Sequence, residues 1–257
     1  MLDTTQPPVV AVVNQKGGVG KTTTAINLAA ALAETGHPTL LIDLDPQANS
    51  TSGLGLDPAR ARLNVYHLLT GEASVGEVMV PTGAAELFLI PSHIDLAGAE
   101  IELATLEGRE TLLRRALTGP IPGVDIVLID CPPSLGLLTL NALVAATSML
   151  IPTQCEYFAL EGLRHLMYTH QLVRSRMNPR LAIAGIVMTQ FDARTTLAWD
   201  VLETVRRTHP HHVLETLIPR NVRISEAPSH GKSVLDYDPT CRGAAAYRAL
   251  AKELLER

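Results

Sequence analysis

The chain has 257 residues, 46% of them hydrophobic and 18% charged, enough to bury a sizeable core in one α/β domain. No apolar run reaches the roughly 18 residues of a membrane-spanning helix, and Met1–Pro8 has neither the basic start nor the apolar stretch of a secretion signal, so a cytoplasmic protein is expected. The formal net charge of -5 excludes nucleic-acid binding through the overall field and leaves only a local basic patch for it.

In chain order, short apolar runs at Val9–Val13, Thr39–Ile42, Leu87–Ile90, Val124–Ile129, Met149–Ile151 and Ala182–Met188 show little alternation. That pattern predicts strands of a parallel sheet covered on both faces. Helical stretches are predicted at Thr22–Glu34, with Gly36 as a stop, and at Leu135–Ala146, Ala159–Arg176, Thr196–Arg207 and Ala244–Glu256. Alternating strand and helix predict a doubly wound α/β fold, a mostly parallel sheet flanked by helices with ligands at the carboxyl ends of the strands. Gly53–Arg62 and Thr118–Gly123 read as surface connections. Without a repeat, low-complexity tract or long linker, one domain over residues 1–257 is expected.

The first predicted strand runs into Asn14-Gln15-Lys16-Gly17-Gly18-Val19-Gly20-Lys21-Thr22-Thr23, and a helix follows. This is the context of a phosphate-binding loop. Gly17, Gly18, Val19 and Gly20 let the backbone wrap an anion with its N–H groups, and the helix start adds partial positive charge. Lys21 is placed to reach the β- and γ-phosphates, Thr22 to ligate Mg²⁺ and Thr23 to line the nucleotide, so bound ATP is expected. The usual leading glycine is replaced by Gln15, and Lys16 is an additional lysine in a chain that has only Lys16, Lys21, Lys232 and Lys252.

Two further strand ends carry carboxylates. Asp43 and Asp45 follow the run ending at Ile42, and Asp130 follows Ile129. Beside a phosphate loop, one of the first pair is suited to orient an attacking water, and Asp130 is the candidate partner of the nucleotide's Mg²⁺. Cys131, Cys155 and Cys241 lack metal-ligand spacing and are expected as reduced thiols. His209, His211 and His212 read as a helix-end loop.

KGGVGKTT, DLDPQ, DCPPS and IPRNVRISEAPSHGK, in that order, resemble the ParA/Soj branch of the deviant Walker A ATPases, the chromosome and plasmid partition proteins. The likeness covers nearly the whole chain. It implies a P-loop ATPase with weak intrinsic activity that uses ATP and Mg²⁺. It also implies that Lys16 reaches across an ATP-sandwich homodimer to the partner's phosphates, as an arginine finger would. Asp45 would position water, Asp43 and Asp130 would support Mg²⁺, and Pro219 with Asn221 would meet the adenine. Arg194, in FDART, and Arg223, in PRNVR, match basic contacts to non-specific double-stranded DNA. Arg206, Arg207 and Lys232 are weaker candidates. A ParB/Spo0J-type protein is the implied stimulator of hydrolysis, and the ATP state is expected on the nucleoid.

Three rival readings meet specific residues. A membrane-bound division ATPase would need a basic amphipathic C-terminal helix, whereas Tyr247–Arg257 is short and charge-balanced and is expected to pack on the core, so no membrane association is expected. A cluster-bearing iron protein would need a second cysteine placed to accompany Cys131. A scaffold without turnover is disfavoured by Lys21, Asp45 and Asp130 together. Only eight residues precede the first predicted strand, so sequence-specific operator binding is not expected.

Overall fold

A computed structural model describes residues 6–156 and 159–257; the reading of Met1–Pro8 falls largely outside them. The strands are β1 Val9–Val12, β2 Thr39–Asp43, β3 Val80–Pro81, β4 Leu87–Ile90, β5 Ile126–Asp130, β6 Ser148–Gln154, β7 Ala182–Phe191 and β8 Val213–Pro219. The helices are α1 Lys21–Glu34, α2 Asn49–Gly53, α3 Val65–Thr70, α4 Val75–Val78, α5 Leu96–Leu103, α6 Leu112–Ala116, α7 Leu137–Ala145, α8 Ala159–Arg176, α9 Thr196–Thr208, α10 Val222–Glu226, α11 Val234–Tyr237 and α12 Arg242–Leu255.

One eight-stranded sheet has the order β3-β4-β2-β5-β1-β6-β7-β8. Every pairing is parallel except β3 with β4, so the predicted doubly wound class is what the chain forms. All residues of β2 and β5 are buried, which explains their unalternated apolar sequence. Successive side chains nonetheless serve opposite faces. Leu40 and Ile42 join the core under α3, α7, α8 and α9, whereas Leu41 joins the core under α1, α11 and α12.

Helix α1 is buried continuously from Thr24 to Ala33 because it lies between the sheet and α12. Its buried Ala25, Ala29, Ala30, Ala31 and Ala33 permit close approach of both. The C-terminal helix α12 turns Ala244, Tyr247, Leu250 and Ala251 into that core, so its amphipathic face is already covered. Among the described residues no helix is long and apolar enough to cross a membrane.

Two strands and several short helices are additions to the elements expected from sequence. Edge strand β8 carries exposed Glu215 between apolar residues, which masks it as a loop. Within Gly53–Arg62, Pro58–Arg60 forms a 3₁₀ turn capped by Asp57, whose side chain accepts from Ala59 N. The strand order reverses beside β1, and the carboxyl ends of β1, β2, β5, β7 and β8 gather on one side of the sheet.

Candidate nucleotide site

The loop leaving β1 is held at its root by Asn14, whose Nδ2 donates to the Pro152 carbonyl at 2.8 Å while its Oδ1 accepts from Lys16 N at 3.0 Å. It then passes through Gly18 at φ 78° and Gly20 at φ 86°, both in the left-handed region that glycine enters without strain. Helix α1 begins at Lys21 directly after Gly20, with no side-chain cap on its first turn. Uncapped N–H groups at a helix start, framed by glycine backbone, are an anion cradle.

The two lysines of the loop point to different partners. Lys21 is buried, and its Nζ donates to the Lys16 carbonyl at 3.1 Å, so the ammonium is folded back over its own loop. Burial lowers its pKa, and the carboxylates of Asp130 and Asp45 oppose that shift. Lys16 turns outward and ion-pairs with Glu156, just past β6, with both side chains partly exposed.

Asp43 and Asp130 are register partners on β2 and β5 and are both wholly buried. Asp43 Oδ2 accepts from Thr51 N at 2.8 Å and Thr51 Oγ1 at 2.7 Å, and Oδ1 accepts from Asp45 N at 3.3 Å. Its oxygens are therefore committed to organising the loop that carries Asp45. Asp130 Oδ2 accepts from Ser50 Oγ at 2.8 Å, but Oδ1 has no hydrogen-bond partner. An orphaned buried carboxylate oxygen normally costs about 1–3 kcal/mol or more, and one on a residue beside Thr22 and Lys21 of the phosphate loop is suited to a hydrated divalent cation. The donor chemistry is oxygen throughout, because the Thr22 hydroxyl lies beside Asp130.

Burial raises the pKa of both aspartates. For Asp43 the Asp130 charge adds to the rise; for Asp130 the hydroxyls of Thr22 and Ser50 and the Lys21 charge counter it. Asp45 is almost buried and fixes its own loop, Oδ1 accepting from Gln47 N at 2.9 Å.

Beside the cradle a cleft of about 370 Å³ is lined by Gly20, Thr23, Gln190, Pro219, Asn221 and Tyr247, among others. Pro219 and Asn221 thus lie in one cleft with the phosphate loop. Asn221 also caps α10, its Oδ1 accepting from Arg223 N at 2.8 Å.

Arg194 and Arg223 are exposed and already paired. Arg194 forms a two-pronged contact with Asp192, Nε to Oδ1 at 2.8 Å and Nη2 to Oδ2 at 2.7 Å. Arg223 reaches Glu226 at 2.9 Å and Asp238 at 3.3 Å. Arg206 pairs with Glu215 at 2.7 Å. His209, His211 and His212 occupy the turn after α9, and among the described residues no cluster of three or more His, Cys, Asp or Glu is arranged to hold a metal. The three cysteines are free thiols.

Sequence reasoning missed Ser50, Thr51, Glu156, Thr189 and Gln190. The hydroxyl pair shortly after DLDPQ was a usable signal, since buried strand-end carboxylates need donors. Glu156, Thr189 and Gln190 come from distant strand ends, with no local motif to mark them.

A glycine cradle at a helix start, a buried lysine folded over it and an orphaned carboxylate at the neighbouring strand end define a P-loop nucleotide-hydrolysing protein of the two-lysine kind. Comparison with known proteins narrows the class. A family model described as an AAA domain matches residues 8–183. The sporulation initiation inhibitor protein Soj of Bacillus subtilis is 52% identical over 96% of this chain and 97% of its own. The chromosome-partitioning ATPase Soj of Treponema pallidum is 52% identical over 95% of this chain and 96% of its own. Among solved structures, cobyrinic acid a,c-diamide synthase of Mycobacterium smegmatis, crystallised with bound ADP and magnesium, superimposes with a TM-score of 0.86 at 41% identity, covering 98% of this chain and 95% of that one. The higher identities are to the partition proteins. The chain belongs to the Soj/ParA family of chromosome-partitioning ATPases.

Proposed function

We propose that this chain, as a single domain over residues 1–257, is an ATP-driven DNA-partitioning switch whose ATP state is a sandwich homodimer bound non-specifically to DNA. The observation that carries the reading is the divergence of the two loop lysines. Lys21 lies over the cradle of its own chain, whereas Lys16 faces outward on Glu156, available to a second subunit. A lysine brought by a partner to the γ-phosphate stabilises developing charge, and groups of that kind supply about 10³–10⁵ in rate in related phosphoryl transfers. Hydrolysis by the monomer is correspondingly slow.

ATP binds with its phosphates in the Gly17–Gly20 loop, capped by Lys21 and the first turn of α1 with Thr22 and Thr23, and with its base toward Pro219 and Asn221. Thr22 and Asp130 hold Mg²⁺, which when bound draws charge from the phosphate oxygens. Asp43 acts from behind, because direct coordination would cost its bonds to Thr51 and Asp45. Asp45 orients the attacking water. Bound ADP and magnesium in the Mycobacterium smegmatis neighbour support both ligands.

Arg194 and Arg223 supply the DNA patch. Exposed ion pairs are worth about 0–1 kcal/mol, so phosphates presented along a duplex can displace Asp192, Glu226 and Asp238. Two half-patches set together by dimerisation overcome what a net-negative monomer cannot. A ParB/Spo0J-type partner stimulates hydrolysis and resets the cycle. The protein works in the cytoplasm and on the nucleoid, away from membranes. The test is analytical ultracentrifugation with ATP. The wild type shifts to dimer and Lys16→Ala stays monomeric; an unchanged dimer in Lys16→Ala would remove the lysine from this role.

A further inference from the structure

Two adjacent side chains at the carboxyl end of β7 grip the phosphate loop from outside. Thr189 Oγ1 donates to the Val19 carbonyl at 2.7 Å, and Gln190 Nε2 donates to the Gly18 carbonyl at 2.8 Å. In a trans peptide the C=O and the following N–H point in opposite directions. Holding the Gly18 carbonyl therefore turns the Val19 N–H away from Gln190, and holding the Val19 carbonyl sets the Gly20 N–H likewise. Gln190 is oriented in turn by Gln154, whose Nε2 donates to its Oε1 at 3.1 Å.

The backbone of Gln190 is also unusual. With φ at 50° it is one of three non-glycine residues in the left-handed region among the described residues, a strained conformation that persists only where neighbours enforce it. Those neighbours lead away from the loop. Buried Phe191 follows, its carbonyl accepting from Arg220 N at 3.1 Å and its ring meeting Trp199 edge-on at 5.0 Å. Trp199 Nε1 donates to the Ala193 carbonyl at 3.0 Å, and Asp192 holds Arg194. Residues 189–194 thus join the phosphate loop at one end to the Arg194 turn at the other.

We infer that Gln190 is a positioning residue through which occupancy of the phosphate loop reaches the Arg194 turn. Phosphate drawn to the Val19 N–H acts on the same peptide plane whose carbonyl Gln190 holds. A tilt of that plane changes the hold on Gln190, and its strained backbone passes the change to Phe191 and Trp199. The inference rests on the ATPase reading of the loop and not on DNA binding. Loss of DNA binding with this response intact would count against the partition reading alone.

Trp199 is the only tryptophan of the chain and is about half exposed, so its emission reads the Arg194 turn selectively. The full chain is titrated with ATP and magnesium while occupancy is measured independently by equilibrium dialysis. Wild-type emission is expected to shift in proportion to occupancy. Gln190→Met keeps the length of the side chain and removes the donor, while Thr189 still holds Val19. ATP binding should weaken by about threefold to tenfold, the range of one net hydrogen bond, and the emission change at saturation should fall to a minor fraction of the wild-type change. Should Gln190→Met not fold, Gln190→Gly, which accepts φ of 50° without strain, should show the same loss. The inference is overturned by wild-type emission that ignores bound ATP, or by a wild-type emission change at saturation in the folded variant.

Discussion

Lys16 and Lys21 share one loop, yet their environments separate them. Lys21 is buried against Asp130 and Asp45, and Lys16 is half-exposed on Glu156. Their removal should therefore have different consequences: Lys21→Ala is expected to abolish ATP binding, and Lys16→Ala to spare it while preventing the dimer, both measurable by dialysis and sedimentation. At Asp45 the expectation is opposite in sign. Asp45→Ala should bind ATP and dimerise, lower turnover by about 100-fold or more, and leave a dimer that persists, as phosphate release and sedimentation would show. Rapid turnover in Asp45→Ala would move the water-orienting role elsewhere. The loop and its acidic partners were legible because each lies at a strand end in a local motif. Glu156 and Gln190 were not, because their contacts with the loop come from register between β6, β7 and β1 and not from neighbouring residues.

At the level of elements, the buried parallel strands were readable because both faces are covered and their sequences are nearly continuously apolar. Edge strand β8 and the short helices between β2 and β5 were not, since exposed polar residues break their pattern and their positions depend on packing. One packing contact bears directly on the site. A Cβ on Gly243 of α12 would lie 2.6 Å from Ile224 Cγ1 of α10, the helix capped by Asn221. Gly243→Ala should cost about 1–3 kcal/mol by overpacking, seen as a lower thermal midpoint, and should weaken ATP by displacing the Asn221 side of the cleft. A variant of wild-type stability and affinity would mean that α10 yields freely.

For the whole molecule, a formal charge of -5 and two candidate arginines already paired with carboxylates favour, under the proposed function, DNA binding by the assembled ATP state over binding by the monomer. Charge reversal at either arginine, Arg194→Glu or Arg223→Glu, should remove DNA association while sparing ATP-dependent dimerisation. Wild-type affinity should fall with salt at a log–log slope near -0.9 per phosphate neutralised. The most direct test of the account is binding of random-sequence duplex DNA by Asp45→Ala protein with ATP, with ADP and without nucleotide. Binding with ATP alone is the predicted result; equal binding in all three states, or none in any, would contradict an ATP-gated DNA switch.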